Sequence, residues 1–122
     1  MNKSCLVLLA HGSRNPGWRA PFEALLRDLR RESGEDRVCL AYLQLAEPSL
    51  SSVVRDLATF GTRAIRILPL LIATGNHAEG DIPAEVAALR KKHPDLAITI
   101  LPPIGSHPQF KTMMRELVKE SL

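Results

Sequence analysis

No apolar run in this 122-residue sequence approaches the ~20 residues that a membrane-spanning helix requires, so the chain is expected to be soluble and not to enter a bilayer. Cysteine is nearly absent. The two present, Cys5 and Cys39, sit inside apolar, strand-like runs, and their spacing fits neither a zinc knuckle nor a redox motif. They read as reduced core residues, and a disulfide framework has no support. Charge of one sign is lacking too. Sixteen Lys and Arg against thirteen Asp and Glu leave a net charge of +3, too balanced and too scattered for a nucleic-acid surface but suited to an anionic small molecule. There is no linker, low-complexity tract or clear internal repeat, and the length suits one domain over residues 1–122. The short run from Cys5 to Ala10 weakly imitates a signal peptide before it meets His11, Gly12 and Arg14. A first strand explains it better, and a cytoplasmic setting is the expectation.

What the chain does have is alternation. Four β-branched or leucine-rich runs, near residues 4–10, 37–43, 64–70 and 96–101, are separated by segments whose apolar residues recur at helical spacing. The first helix should bury Trp18, Phe22, Leu25, Leu26 and Leu29. The second, with Leu50, Val53, Val54 and Leu57, is expected to start at Pro48 and stop at Gly61. Val86 and Leu89 mark the third, with Asp81 as its cap and Ile82 and Pro83 in its first turn. The fourth carries Phe110, Met113, Met114, Leu117 and Val118, with Ser106 and Gln109 spaced as a capping box and Pro108 in the first turn. All four stripes read as core. Strands such as CLVLLA and AIRILPLL are apolar almost throughout, which fits a sheet covered on both faces. The expected class is therefore α/β, a four-stranded parallel sheet flanked by helices on both faces. Ligand sites in such sheets lie beyond the carboxyl ends of the strands, where strand order reverses.

Two loops at that edge carry chemistry. The first strand runs into His11-Gly12-Ser13-Arg14-Asn15-Pro16-Gly17, and the third into Ile72-Ala73-Thr74-Gly75-Asn76-His77. If strands one and three are neighbours, both imidazoles face one crevice. Two histidines with open positions can hold a divalent cation without enclosing it, as a metal destined for another molecule requires. Histidine, ordinarily titrating near ~6.5, is also suited to accept a proton around neutrality. His11 could serve as ligand, as base, or as both in turn.

The stretches LLAHGSRNP, LAEPSL and LPLLIATGNHAEGDIP, in that order, resemble the CbiX/SirB family of class II chelatases, in its short single-unit form. The resemblance implies insertion of a divalent metal, Co²⁺ foremost with Fe²⁺ or Ni²⁺ as alternatives, into sirohydrochlorin, without ATP and by a homodimer. It makes His11 the proton acceptor and a metal ligand, His77 the other metal ligand, and places Glu47 and the segment Ile72, Ala73, Thr74, Gly75, Asn76 and His77 against the tetrapyrrole. Glu47 precedes Pro48 where a good cap would be Ser, Thr, Asp or Asn. Substrate contact explains it; a first-turn charge favoured by the helix dipole is the plainer alternative. Asn76 departs from the smaller or more apolar residue expected beside His77. The last third of the chain matches by element order alone.

Other residues have competing readings. Arg14 and Arg19 could pair with ring carboxylates or be solvated surface charges. Ser13 lacks the G-x-S-x-G setting of a nucleophile, and no G-x-x-x-x-G-K-[ST] sequence accompanies Thr74 and Gly75. His93, before Pro94, reads as a helix end. His107 is an outside ligand candidate that equally fits the first turn of the last helix. From a different class of function stand a non-catalytic cobalt or nickel carrier and a tetrapyrrole-binding protein; a carrier needs no substrate-facing cleft.

Overall fold

The computed structural model describes residues 4–34, 37–73 and 76–122, the side chains of residues 76–81 excepted. Strand and helix alternate as β1 (Ser4–Ala10), α1 (Pro16–Ser33), β2 (Val38–Tyr42), α2 (Leu50–Thr59), β3 (Ala64–Pro69), α3 (Asn76–Lys92), β4 (Ala97–Ile100), a 3-10 turn η1 (Ile104–Ser106) and α4 (Pro108–Ser121). The sheet has four strands in the order β2-β1-β3-β4. Every pairing is parallel, and β1 and β3 are direct neighbours, with Leu8 opposite Leu68.

Period-two alternation along apolar strands builds a core on each face. On one face Val7, Leu9, Ala41, Ile65, Ile67 and Ile98 meet α2 through Leu50, Val53 and Val54 and α3 through Ile82, Val86 and Leu89. On the other, Leu8, Ala10, Leu40 and Tyr42 meet Trp18, Phe22, Leu26 and Leu29 of α1. Cys5 and Cys39 remain thiols, their sulfurs 3.5 Å apart. An arginine reaches one backbone carbonyl on each edge strand, occupying an acceptor that another strand would need. Arg30 Nε donates to the Val38 carbonyl at 3.0 Å on β2, and the Arg90 guanidinium donates to the Ile98 carbonyl at 2.6 Å on β4. Among the described residues, no helix is long and apolar enough to cross a membrane.

Several expectations about the helices need correction. The second helix is capped by Ser49, whose hydroxyl accepts from the Ser52 N–H, so Pro48 precedes the cap; the other end is as expected, with Gly61 at φ +88° just past the Phe60 cap. Helix α3 begins at Asn76, which leaves Asp81 inside it and not at its cap, with Pro83 also internal. The fourth helix has no Ser106 cap. Its cap is His107, whose Nδ1 accepts from the Gln109 N–H at 3.1 Å, while Ser106 belongs to η1 and its hydroxyl donates to the Pro103 carbonyl. Leu25 lies off the buried stripe of α1 and is exposed. The fourth apolar stripe is not core in this chain: Met113, Met114, Leu117 and Val118 are between 44% and 50% exposed. The physical reason is topological. Helix α4 follows the last strand, packs principally against η1, and has no further strand to draw it across the sheet.

Candidate functional site

The strand order reverses between β1 and β3, because the chain leaves β1 for β2 on one side and returns to β3 on the other. The crevice beyond the carboxyl ends of that pair is where such sheets bind ligands. His11 directly follows β1 and is exposed there. His77 lies in the first turn of α3, the helix entered from β3. The topology thus brings the two histidines' loops to the same end of the sheet.

The loops at this edge extend the hydrogen-bonded ladder. Leu43 N–H donates to the Ala10 carbonyl at 2.9 Å, Gln44 N–H to the His11 carbonyl at 3.1 Å, Leu70 N–H to the Leu9 carbonyl at 2.8 Å and Gly105 N–H to the Leu71 carbonyl at 3.1 Å. Two close approaches require glycine. At Gly12, φ is +106°, and an added Cβ would collide with the Gln44 carbonyl oxygen; at Gly105 it would collide with the Ile72 carbonyl oxygen. The first loop is braced from α1, where the Arg19 guanidinium donates to the Ser13 carbonyl at 2.8 Å. Asn15 caps α1 by accepting from the Gly17 N–H, and its own N–H donates to the Ser13 hydroxyl.

That bracing resolves several readings. Arg19 holds the loop that carries His11, while Arg14 is exposed. Ser13 is a turn residue. His93 N–H donates to the Leu89 carbonyl at 2.9 Å, closing the end of α3 as its position before Pro94 implies. His107 is committed to its cap. With Nδ1 accepting, the neutral ring carries its proton on Nε2 and has no lone pair left for a metal. An apolar cavity of about 310 Å³ lies beside it, lined by Leu68, Leu101, Pro103 and Ile104 among others.

The side chain that meets His11 is Gln44, with its amide Nε2 3.4 Å from the imidazole Nδ1. Glu47 is exposed, and its carboxylate accepts from the Ser49 N–H at 3.3 Å. It lines a cavity of about 350 Å³ along β2 between α1 and α2, together with Glu23, Tyr42, Asp56 and Phe60. Its capping puzzle disappears, because Ser49 caps α2. Ile72 and Ala73 are exposed at the end of the β3 loop. Thr74 and Gly75 lie outside the described residues, as do the side chains of Asn76 and His77. Among the described residues, no cluster of three or more His, Cys, Asp or Glu side chains is placed to hold a metal.

Gln44 is the site residue that sequence reasoning missed. Its signal is slight: one polar residue between Leu43 and Leu45, just past an apolar strand. It gains meaning only from the register, in which Tyr42 lies opposite Ala10 and the residues beyond run alongside His11 and Gly12. If the Gln44 amide is turned so that its Oε1 accepts from Nδ1–H, Nε2 of this exposed imidazole keeps the lone pair that can take a proton or a cation.

Comparison with known proteins bears on the family and the fold. A family model described as CbiX matches residues 5–121. The chain is 28% identical over 117 residues to the sirohydrochlorin cobaltochelatase of Sulfurisphaera tokodaii, covering 96% of this chain and 92% of that one. It is 27% identical over 103 residues to the sirohydrochlorin ferrochelatase of Bacillus subtilis, covering 84% of this chain and 40% of that one. A protein of Marinobacter aquaeolei VT8, named for CbiX of cobalamin biosynthesis, superimposes with a TM-score of 0.84 at 36% identity, over 97% of this chain and 96% of its own. The sirohydrochlorin chelatase SirB of Bacillus subtilis subspecies spizizenii, in complex with cobalt, gives 0.82 at 25% identity, over 97% of this chain and 50% of its own. The chain therefore spans about half of SirB and nearly all of the Sulfurisphaera tokodaii and Marinobacter aquaeolei proteins. With its motifs, parallel sheet and match over residues 5–121, the chain belongs to the CbiX family.

Proposed function

We propose that this chain, as one chelatase domain over residues 1–122, inserts a divalent metal into sirohydrochlorin in the cytoplasm, with Co²⁺ as the first candidate and Fe²⁺ and Ni²⁺ as alternatives. The observation that carries the reading is the exposed His11 at the β1/β3 switch point, in a chain whose relatives are named as sirohydrochlorin cobaltochelatases and ferrochelatases. In this reading His11 and His77 hold the incoming cation, and His11 accepts a pyrrolic N–H proton as the metal enters the ring. Glu47 and the segment from Ile72 to His77 contact the macrocycle. Metal and ring are both substrates, so the protein's share is to orient one over the other and to take the proton. No nucleotide is consumed.

The active form is a homodimer. Two facts support it: the half-exposed apolar stripe of α4, and SirB's chain being about twice the matched length.

The decisive experiment is anaerobic mixing of the protein with sirohydrochlorin and Co²⁺, Fe²⁺ or Ni²⁺ in turn, followed by the visible spectrum. Multiple turnovers above the uncatalysed rate, lost in His11→Ala and His77→Ala, are the expected result, and the relative rates rank the metals. A folded protein that binds metal without accelerating insertion would move the carrier reading to the front.

A further inference from the structure

We infer that Leu45 is a contact for the face of the macrocycle and helps to set how the ring docks beside His11, an inference that rests on the chelatase reading above. Leu45 adopts φ +62°, and among the described residues it is the only non-glycine with a positive φ. A leucine in this left-handed region brings its Cβ close to the following carbonyl oxygen, a strain that glycine escapes and asparagine tolerates. Burial does not offset that strain, since the side chain stays 49% exposed.

The neighbours on both sides are fixed. Gln44 is bonded through its N–H to the His11 carbonyl and reaches the imidazole with its amide. Ala46 packs in the cluster with Trp18, Phe22 and Leu26. Leu45 is therefore held about 3.8 Å, Cα to Cα, from the residue that touches His11. Strained backbone that exposes a large apolar side chain, between anchored neighbours, is found at ligand-contacting positions.

Strand order supplies the ligand's shape. In β2-β1-β3, Leu45 follows β2, His11 follows β1, and Ile72, 73% exposed, follows β3. An exposed apolar residue thus follows the strand on either side of the one that leads into His11. That pattern matches a flat macrocycle, apolar on its faces and reactive at its centre.

The test compares the unsubstituted protein with Leu45→Asn and Leu45→Gly, both of which accept the backbone angle. Metal-free sirohydrochlorin is titrated by its visible absorbance, and Co²⁺ insertion is followed at steady state. Loss of the apolar contact should weaken ring binding and raise KM for the ring roughly five- to ten-fold. The turnover number should hold and thermal stability should be unchanged or higher. If both variants bind the ring as the unsubstituted protein does, the inference fails while the chelatase reading stands. If turnover falls with KM unchanged, Leu45 acts by holding the Gln44 loop and the contact role is overturned. If the unsubstituted protein does not bind the ring, both the reading and the inference fall.

Discussion

The amide of Gln44 can turn either end toward the His11 Nδ1, 3.4 Å away, and the choice has chemical consequences. For Nε2 of His11 to carry a metal, Nδ1 must hold the ring proton, and Gln44 must then accept through Oε1. Gln44→Ala should therefore fold normally but lose about ten-fold in metal insertion, the usual scale for a lost partner of a ligating histidine; steady-state kinetics with metal titration reads this. Tyr42 offers a test from the opposite side of the chemistry. Its hydroxyl is buried without a hydrogen-bond partner among the described residues, and burial, then the Glu23 carboxylate, push the phenol above its usual range, with Arg19 opposing. The fold favours the neutral phenol. That contribution is intact below the unfolded value near ~10 and is lost as pH rises through the folded one. Tyr42→Phe should be neutral or slightly stabilising near neutrality and should flatten the alkaline loss of stability. Denaturation curves of both proteins near neutrality and above pH ~10 check it, and because this is the only tyrosine in the sequence, the phenolate absorbance belongs to it alone.

Helix ends show what tertiary structure adds to local pattern. Ser49 both caps α2 through its hydroxyl and sits where Tyr42 N–H donates to the Pro48 carbonyl at 2.9 Å, so the helix start and the end of β2 are fastened together. Ser49→Ala should cost about 1 kcal/mol by loss of the cap, read as a lowered denaturation midpoint. Reading Pro48 as the first helical residue followed a sound preference, but Ser49 competed for the cap and won. His107 likewise displaced Ser106 because an imidazole nitrogen accepts an N–H as a hydroxyl oxygen does. The strands were legible because runs such as Ile65 to Pro69 are short and rich in apolar and β-branched residues, the composition of a strand in a sheet covered on both faces. The position of His11 was legible for a related reason: a polar, glycine-bearing loop directly after an apolar strand falls at the carboxyl edge of the sheet. Gln44 and Leu45 were not, because their importance depends on β2 lying beside β1 and on one backbone angle. Neither is written in residue type.

For the whole molecule, the open question is what covers α4. Its periodicity announces an apolar face without saying against what that face packs, and here Met113, Met114, Leu117 and Val118 remain about half exposed. An exposed apolar stripe of this kind marks an interaction site, and a second copy is the occupant proposed above. A two-fold interface uses each residue twice, so the roughly 1 kcal/mol available from burying the exposed half of each side chain is doubled across the pair. The same doubling makes the surface sensitive to charge. Met114→Glu combined with Leu117→Glu would set carboxylates of both copies into one apolar seam, where unpaired charge is costly. Sedimentation velocity should show the unsubstituted protein as a dimer and the double variant as a folded monomer with unchanged circular dichroism. If the variant remains dimeric, α4 is not the seam; if the unsubstituted protein is monomeric at working concentrations, the homodimer is excluded as the active form. Activity measured on dilution then separates two roles for the partner. Turnover per chain that falls with the dimer fraction means the second copy completes the cleft, whereas turnover independent of it confines the chemistry to the β1/β3 edge of a single chain.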